Sequence, residues 1–256
     1  MTLKVFSNLS VVAITILIIA GCAGKSSGKK VTGNDTITIP DTGYTGIKQY
    51  MSGTRIIKEV TFQNGVREGL MKSFYPGGQV YQTFWYENGL REDSGRYYYT
   101  EGQLFRTTPY KHDTIDGIQK QYYRTGKLKA RIGYSKGMRT PYLEEFTPDG
   151  KLVKGYPEIV VKVNDEYKSK GLYSISLALS DKSTKVKFYR GEFTDNRFDT
   201  SFVKPVNSVQ GITRIDLRKT GTPGNNYVGV IGAVVTPFGN RNLIYKRIDL
   251  PYNDLK

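Results

Sequence analysis

The chain has 256 residues, enough for one large domain or two ordinary ones, and its 38% apolar and 12% aromatic content can build cores. Its net charge is +15, from 38 Lys+Arg against 23 Asp+Glu, but the basic residues are dispersed and alternate with apolar ones, as on solvated strand faces, so nucleic acid is not an expected partner. One cysteine, Cys22, and one histidine, His112, exclude an internal disulfide and leave too few ligands for a cysteine-based zinc centre or a Cys–His nucleophilic pair. Twenty tyrosines against one tryptophan, with 28 glycines punctuating short runs, lean towards an all-β chain.

Lys4 precedes an apolar stretch from Leu9 to Ala20, broken only by Ser10 and Thr15. It is short for a membrane span and about right for a signal peptide. It ends in Ile19-Ala20-Gly21-Cys22, which resembles the bacterial lipobox. The resemblance implies a signal peptide over 1–21, cleavage between Gly21 and Cys22, and acyl chains on Cys22. Two or three chains on one residue anchor stably, where one is marginal. The residues after Cys22 show no acidic cluster and no Asp directly after the cysteine. A cell-envelope protein on the outer membrane, facing the periplasm, is therefore expected. Residues 22–46, rich in Gly, Ser, Thr and Lys, read as a flexible tether spanning roughly 25–30 Å.

From there the chain repeats every 24 residues. One series holds Tyr50, Phe74, Tyr98, Tyr122 and Phe146, followed by Ile56, Val80, Leu104, Leu128 and Leu152. A second holds Phe62, Tyr86, Tyr110 and Tyr134, followed by Gly65, Gly89, Asp113 and Gly137. Each unit reads as a β-hairpin, with tight turns such as Pro76-Gly77-Gly78 and Asn88-Gly89 where φ must be positive. Residues 47–154 are thus predicted to form an antiparallel meander. Even-numbered positions hold both aromatic series, so both ladders are expected on one face. The odd-numbered face carries Tyr75, Tyr81, Trp85, Tyr97, Tyr99 and Phe105, a candidate binding patch for a protein or glycan unless the C-terminal domain or the tether covers it. The third unit is polar there, with Gln119, Gln121, Lys129 and Arg131. His112 occupies the slot of Asn64 and Asn88, so it reads as a turn residue tolerant of left-handed φ.

The run Gly117-Ile-Gln-Lys-Gln-Tyr-Tyr-Arg-Thr-Gly-Lys-Leu128, continuing to Tyr134-Ser-Lys-Gly137, resembles the MORN-repeat variant family; the Gly69 copy matches nearly as well, and the Gly95 and Pro141 copies are degraded. The resemblance implies β-hairpin architecture and no catalytic residue at the matched positions. Because relatives include antitoxin components, it also implies an alternative role as an immunity or antitoxin-type protein neutralising a toxin partner.

After Gly155-Tyr156-Pro157 the period stops. Six or seven dissimilar strands are predicted, among them Tyr173 to Leu179, Ile215 to Leu217, Tyr227 to Val235 and Leu243 to Leu250. Their spacing predicts an immunoglobulin-like β-sandwich over 155–256, without the cysteine and tryptophan of an antibody core. Gly229 and Gly232 interrupt an apolar strand, so a bulge or a close backbone approach is expected.

No P-loop, G-x-S-x-G, dinucleotide fingerprint or metal-ligand cluster is present, so no cofactor, metal or enzyme activity is expected. Glu144 and Glu145 are adjacent and on a strand would face opposite ways, so they are not a paired acid and base. Carboxylates distant in sequence could still meet as in a glycosidase, the weakest of the three readings. The leading expectation is a lipid-anchored, non-catalytic binding or scaffold module.

Overall fold

The computed structural model describes residues 43–256, nearly all β and antiparallel. Cys22, the expected signal peptide and residues 22–42 of the expected tether lie outside the described residues. Residues 43–46 belong to the fold: the Tyr44 ring packs edge-on against Phe62, 6.2 Å between centroids, and the first strand starts at Gly46.

The meander consists of β1 (Gly46–Ser52), β2 (Arg55–Gln63), β3 (Val66–Phe74), β4 (Val80–Glu87), β5 (Leu90–Tyr98), β6 (Leu104–Lys111), the short β7 (Thr114–Ile115), β8 (Gly117–Tyr122), β9 (Leu128–Ser135) and β10 (Met138–Glu145). They pair in chain order, with β7 branching from β6. The two-residue turns are set by a pair of positive φ values: Asn64 and Gly65, Asn88 and Gly89, His112 and Asp113, Lys136 and Gly137. That is the type I′ geometry of right-twisted hairpins, and it gives His112 the turn role read from the sequence. Each turn is also tied to the preceding repeat. The Gly65, Gly89, Asp113 and Gly137 N–H groups donate to the Tyr44, Arg67, Arg91 and Ile115 carbonyls at 2.8–3.0 Å.

The expectation that both aromatic ladders share a face is overturned. Residues flanking a two-residue turn pair directly, as Gln63 with Val66 and Glu87 with Leu90. That offset is odd, so the parity facing a given side inverts from strand to strand. One face carries Val60, Phe62, Met71, Phe84 and Tyr86 as a small core, with Tyr50, Tyr97 and Tyr110 packed on it. Phe74, Tyr98 and Tyr122 sit beside Ser73, Tyr97 and Gln121 on their strands and point the other way, opposite Val80, Leu104 and Leu128. On the core face arginines roof the second ladder: Arg67 lies 4.6 Å from the Tyr86 ring, Arg91 4.4 Å from Tyr110 and Arg139 5.5 Å from Tyr134. A single-layer sheet thereby shields its rings with its own long side chains.

The C-terminal part comprises β11 (Ile159–Glu166), a one-turn helix α1 (Tyr167–Lys170), β12 (Leu172–Leu179), β13 (Val186–Arg190), β14 (Lys204–Val206), β15 (Ser208–Val209), β16 (Ile212–Arg218), β17 (Tyr227–Val235) and β18 (Arg241–Asp249). They form two four-stranded sheets, ordered β11-β12-β16-β15 and β14-β13-β17-β18. Alternating residues of both sheets, including Ile175, Leu177, Leu217, Phe188 and Val230, meet in one core. Strand β17 is buried on both sides: Val228 and Val230 face that core, while Ile231 and Ala233 meet Phe198 and Val203 from the 191–203 loop, which folds over the outside. The two glycines of β17 mark close approaches and no bulge, since its register with β18 is unbroken from Tyr227 to Val235. A Cβ at Gly229 would fall 2.8 Å from the Gly191 carbonyl oxygen.

The sandwich docks on the last strand of the meander. Glu145, fully buried, accepts hydrogen bonds from Thr236 Oγ1 at 2.8 Å, Asn240 Nδ2 at 2.7 Å and the Tyr156 hydroxyl at 2.9 Å. Its neighbour Glu144 turns away and pairs with Arg131 at 3.0 Å, so the two carboxylates do diverge. Arg139 adds a bond from Nη2 to the Arg241 carbonyl at 2.9 Å.

Candidate functional site

At the other end of each hairpin the turn is longer and equally regular. The Tyr75 N–H donates to the Gln79 carbonyl and the Gly78 N–H to the Tyr75 carbonyl; the same two bonds recur at Tyr99 and at Tyr123. The three tyrosines share a second device. The Tyr75 hydroxyl donates to the Tyr98 carbonyl at 2.7 Å, Tyr99 to Tyr122 at 2.9 Å, and Tyr123 to Phe146 at 2.7 Å. Each phenol reaches one repeat ahead and locks its ring in place. Directly across each turn one residue bulges out of the ladder: Tyr81 between the pairs Phe74–Val80 and Ser73–Gln82, Phe105 between Tyr98–Leu104 and Tyr97–Arg106, and Lys129 between Tyr122–Leu128 and Gln121–Ala130. The extra residue cannot join the pairing, so its side chain is pushed outward.

Five of the six candidate patch residues are brought together by these two devices. Tyr75 meets Tyr81 edge-on at 5.0 Å between ring centroids, Tyr81 meets Tyr97 at 6.2 Å, and Tyr99 meets Phe105 at 5.1 Å. Arg106 bridges the two groups, 4.1 Å from the Tyr97 ring and 5.8 Å from Phe105. Arg124 lies 4.5 Å over Tyr99 and pairs with Glu101. The result is a strip of rings and guanidinium groups across β4, β5 and β6. Tyr81 is 40% and Phe105 37% exposed. Tyr97 reaches inward as well, packing on Phe84 at 5.8 Å. Burial and then the neighbouring Tyr97 push the Tyr110 phenol beneath the strip up to about 12, so it stays neutral.

Trp85 does not belong to the strip. It pairs across the sheet with Leu70 and Glu92, on the opposite face, and donates from Nε1 to Glu87 at 3.2 Å. Spacing by odd numbers had grouped it with residues that the inverted parity separates. The sandwich does not cover the strip, because its docking residues Arg139 and Glu145 lie on β10.

Sequence reasoning missed Arg106 and Arg124, and it missed that Tyr75, Tyr99 and Tyr123 form a third 24-residue series. That series was visible in the spacing; its meaning, a hydroxyl-to-backbone bond across repeats, was not. Among the described residues no group of three or more His, Cys, Asp or Glu could hold a metal ion. None of the described helices is long and apolar enough to cross a membrane.

Residues 67–88 and 115–136 match the family described as MORN repeat variant. Both segments lie inside the meander and each spans a hairpin turn, so the repeat architecture and the family match coincide. A search of curated proteins found no match.

Proposed function

We propose that the protein is a lipid-anchored, non-catalytic binding module of the cell envelope, with the aromatic strip as its contact surface. The observation that carries this reading is the strip itself. Its rings occupy equivalent slots of successive repeats, are held by hydroxyl-to-backbone bonds, and stay open to solvent at Tyr81 and Phe105. Folding alone favours burying such rings, and immobilised aromatics at a surface lower the ordering cost of binding. The anchor rests on Ile19-Ala20-Gly21-Cys22 and on the stability of multiple acyl chains. The immunoglobulin-like reading of the sandwich is supported by its sheet membership. The first, second and sixth strands (β11, β12, β16) share one sheet, and the third, seventh and eighth (β13, β17, β18) the other, the ABE and CFG partition of that fold.

The test compares wild type, Cys22→Ser and a Tyr81→Ala/Phe105→Ala double variant in the native host, by fractionation and cross-linking. Wild type is expected in the membrane fraction with a reproducible partner. Cys22→Ser should leave the membrane. The double variant should stay there, folded, and lose the partner. A double variant that captures every wild-type partner removes the strip from the proposal; a Cys22→Ser protein that remains in the membrane removes the anchor.

A further inference from the structure

We infer that the ligand of the strip is an extended β-1,4-linked, N-acetylated polysaccharide lying across the strands; the inference rests on the binding-module reading. Three observations point to it.

The first is spacing. In three successive repeats the turn residue and the bulge residue form a pair: Tyr75 with Tyr81, Tyr99 with Phe105, Tyr123 with Lys129. Successive pairs stand two strands apart, about 9.6 Å before sheet twist. A two-fold β-1,4-linked chain matches that spacing, because its disaccharide rises by closely the same distance. One disaccharide per repeat would place equivalent sugar faces over equivalent rings.

The second is ring chemistry. The Tyr75 and Tyr99 hydroxyls are already committed to backbone carbonyls. Those rings are thereby fixed as supports for the exposed rings of Tyr81 and Phe105, whose C–H and π surfaces suit the axial C–H face of a β-linked sugar. The fixed rotamers of Tyr75 and Tyr99 remove the entropy cost of ordering them on binding.

The third is the rim. The Arg106 guanidinium lies 4.1 Å over the Tyr97 ring, and Arg124 and Lys129 stand beside Tyr99 and Tyr123. Cationic donors alternating with rings suit acetamido carbonyls and attached carboxylates. A neutral glucan would leave the charges of Arg106 and Lys129 unused, Arg124 being already paired with Glu101. The two aromatic pairs and the Tyr123–Lys129 pair together span three repeats, so affinity should grow with chain length until the ligand covers them.

The experiment titrates the purified Cys22→Ser chain with β-1,4-linked N-acetylglucosamine oligomers of increasing length, using amide chemical shifts or calorimetry. Affinity is expected to rise at least tenfold from the disaccharide to the hexasaccharide. Tyr81→Ala and Phe105→Ala should each lower hexasaccharide affinity at least fivefold. Trp85→Ala, on the other face, should leave it unchanged, and α-1,4-linked glucose oligomers should not bind. No binding by the hexasaccharide to folded protein, or equal losses from Trp85→Ala and Phe105→Ala, overturns the inference. If the glycan titration is blank while the double variant still loses a cross-linked protein in cells, the binding module stands and its ligand is a protein. If both fail, the strip is not a binding surface.

Discussion

The meander and the sandwich solve the same problem with different means. The sandwich buries Phe188, Leu177 and Leu217 completely between two sheets, using strands far apart in sequence. The meander has one layer, so no second sheet covers it. Its rings are sheltered by neighbouring rungs, by arginines laid over them, and by turns bonded to the previous repeat. Long-range burial gives a closed core. Short-range repetition gives an open surface on which side chains in equal slots recur, and that openness is what leaves the strip available.

The largest expected effect tests this contrast directly. Phe188→Ala should cost about 3–5 kcal/mol, the usual range for emptying a closed core. Phe84→Ala, whose ring is packed by Tyr97, Tyr110 and Arg91 with no second sheet above it, should cost less, because the arginine can collapse into the space. Denaturant unfolding of both variants decides it; equal costs would mean that the meander owns a core as closed as that of the sandwich.

Next comes the joint between the two regions. Glu145→Ala orphans the donors of Thr236, Asn240 and Tyr156, at about 1–3 kcal/mol for each buried group left unpaired. Hydrogen exchange should show β10 and the 236–240 turn losing protection together, while β4 and β5 keep theirs. Uniform loss over the whole chain would make the two regions one cooperative unit.

A smaller effect lies inside the meander. A Cβ at Gly95 would fall 2.6 Å from the Phe84 ring and 3.0 Å from Tyr110. Gly95→Ala should destabilise by about 1–3 kcal/mol through overpacking, read as a lower midpoint with an unchanged denaturant slope. No change would show that the ladder yields more readily than a closed core.

The smallest effect is electrostatic. Asp113 is partly desolvated, which opposes its ionisation, but hydrogen bonds from the Arg91 side chain and backbone outweigh this and hold its carboxyl below the usual range. A depressed folded pKa stabilises the native state above the unfolded value of about 3.9, and that contribution is lost as pH falls through the folded value. Asp113→Asn should therefore be less stable than wild type at pH 7 by a modest margin, the pair being about one-third exposed. The gap should close in acid. A gap that persists at low pH would assign the effect to turn geometry.

The period of 24, the glycine and asparagine turns, the left-handed role of His112, and the change of character after Pro157 were all legible in the residues. Each depends on local rules: which residues tolerate positive φ, and which alternate along a strand. The grouping of Trp85 with Tyr97 failed because strand parity depends on the pairing offset at each turn, and the bulges at Tyr81 and Phe105 shift it again. The partners of Glu145, the fold of the 191–203 loop over β17, and the arginines over the strip lay beyond local rules as well. By itself, then, the sequence determined the hairpins and their turns, because these are decided within a few residues by backbone sterics. Which rings are buried, which stay open and where the sandwich docks were decided only by the tertiary structure, because register and long-range hydrogen bonds join residues that no local pattern connects.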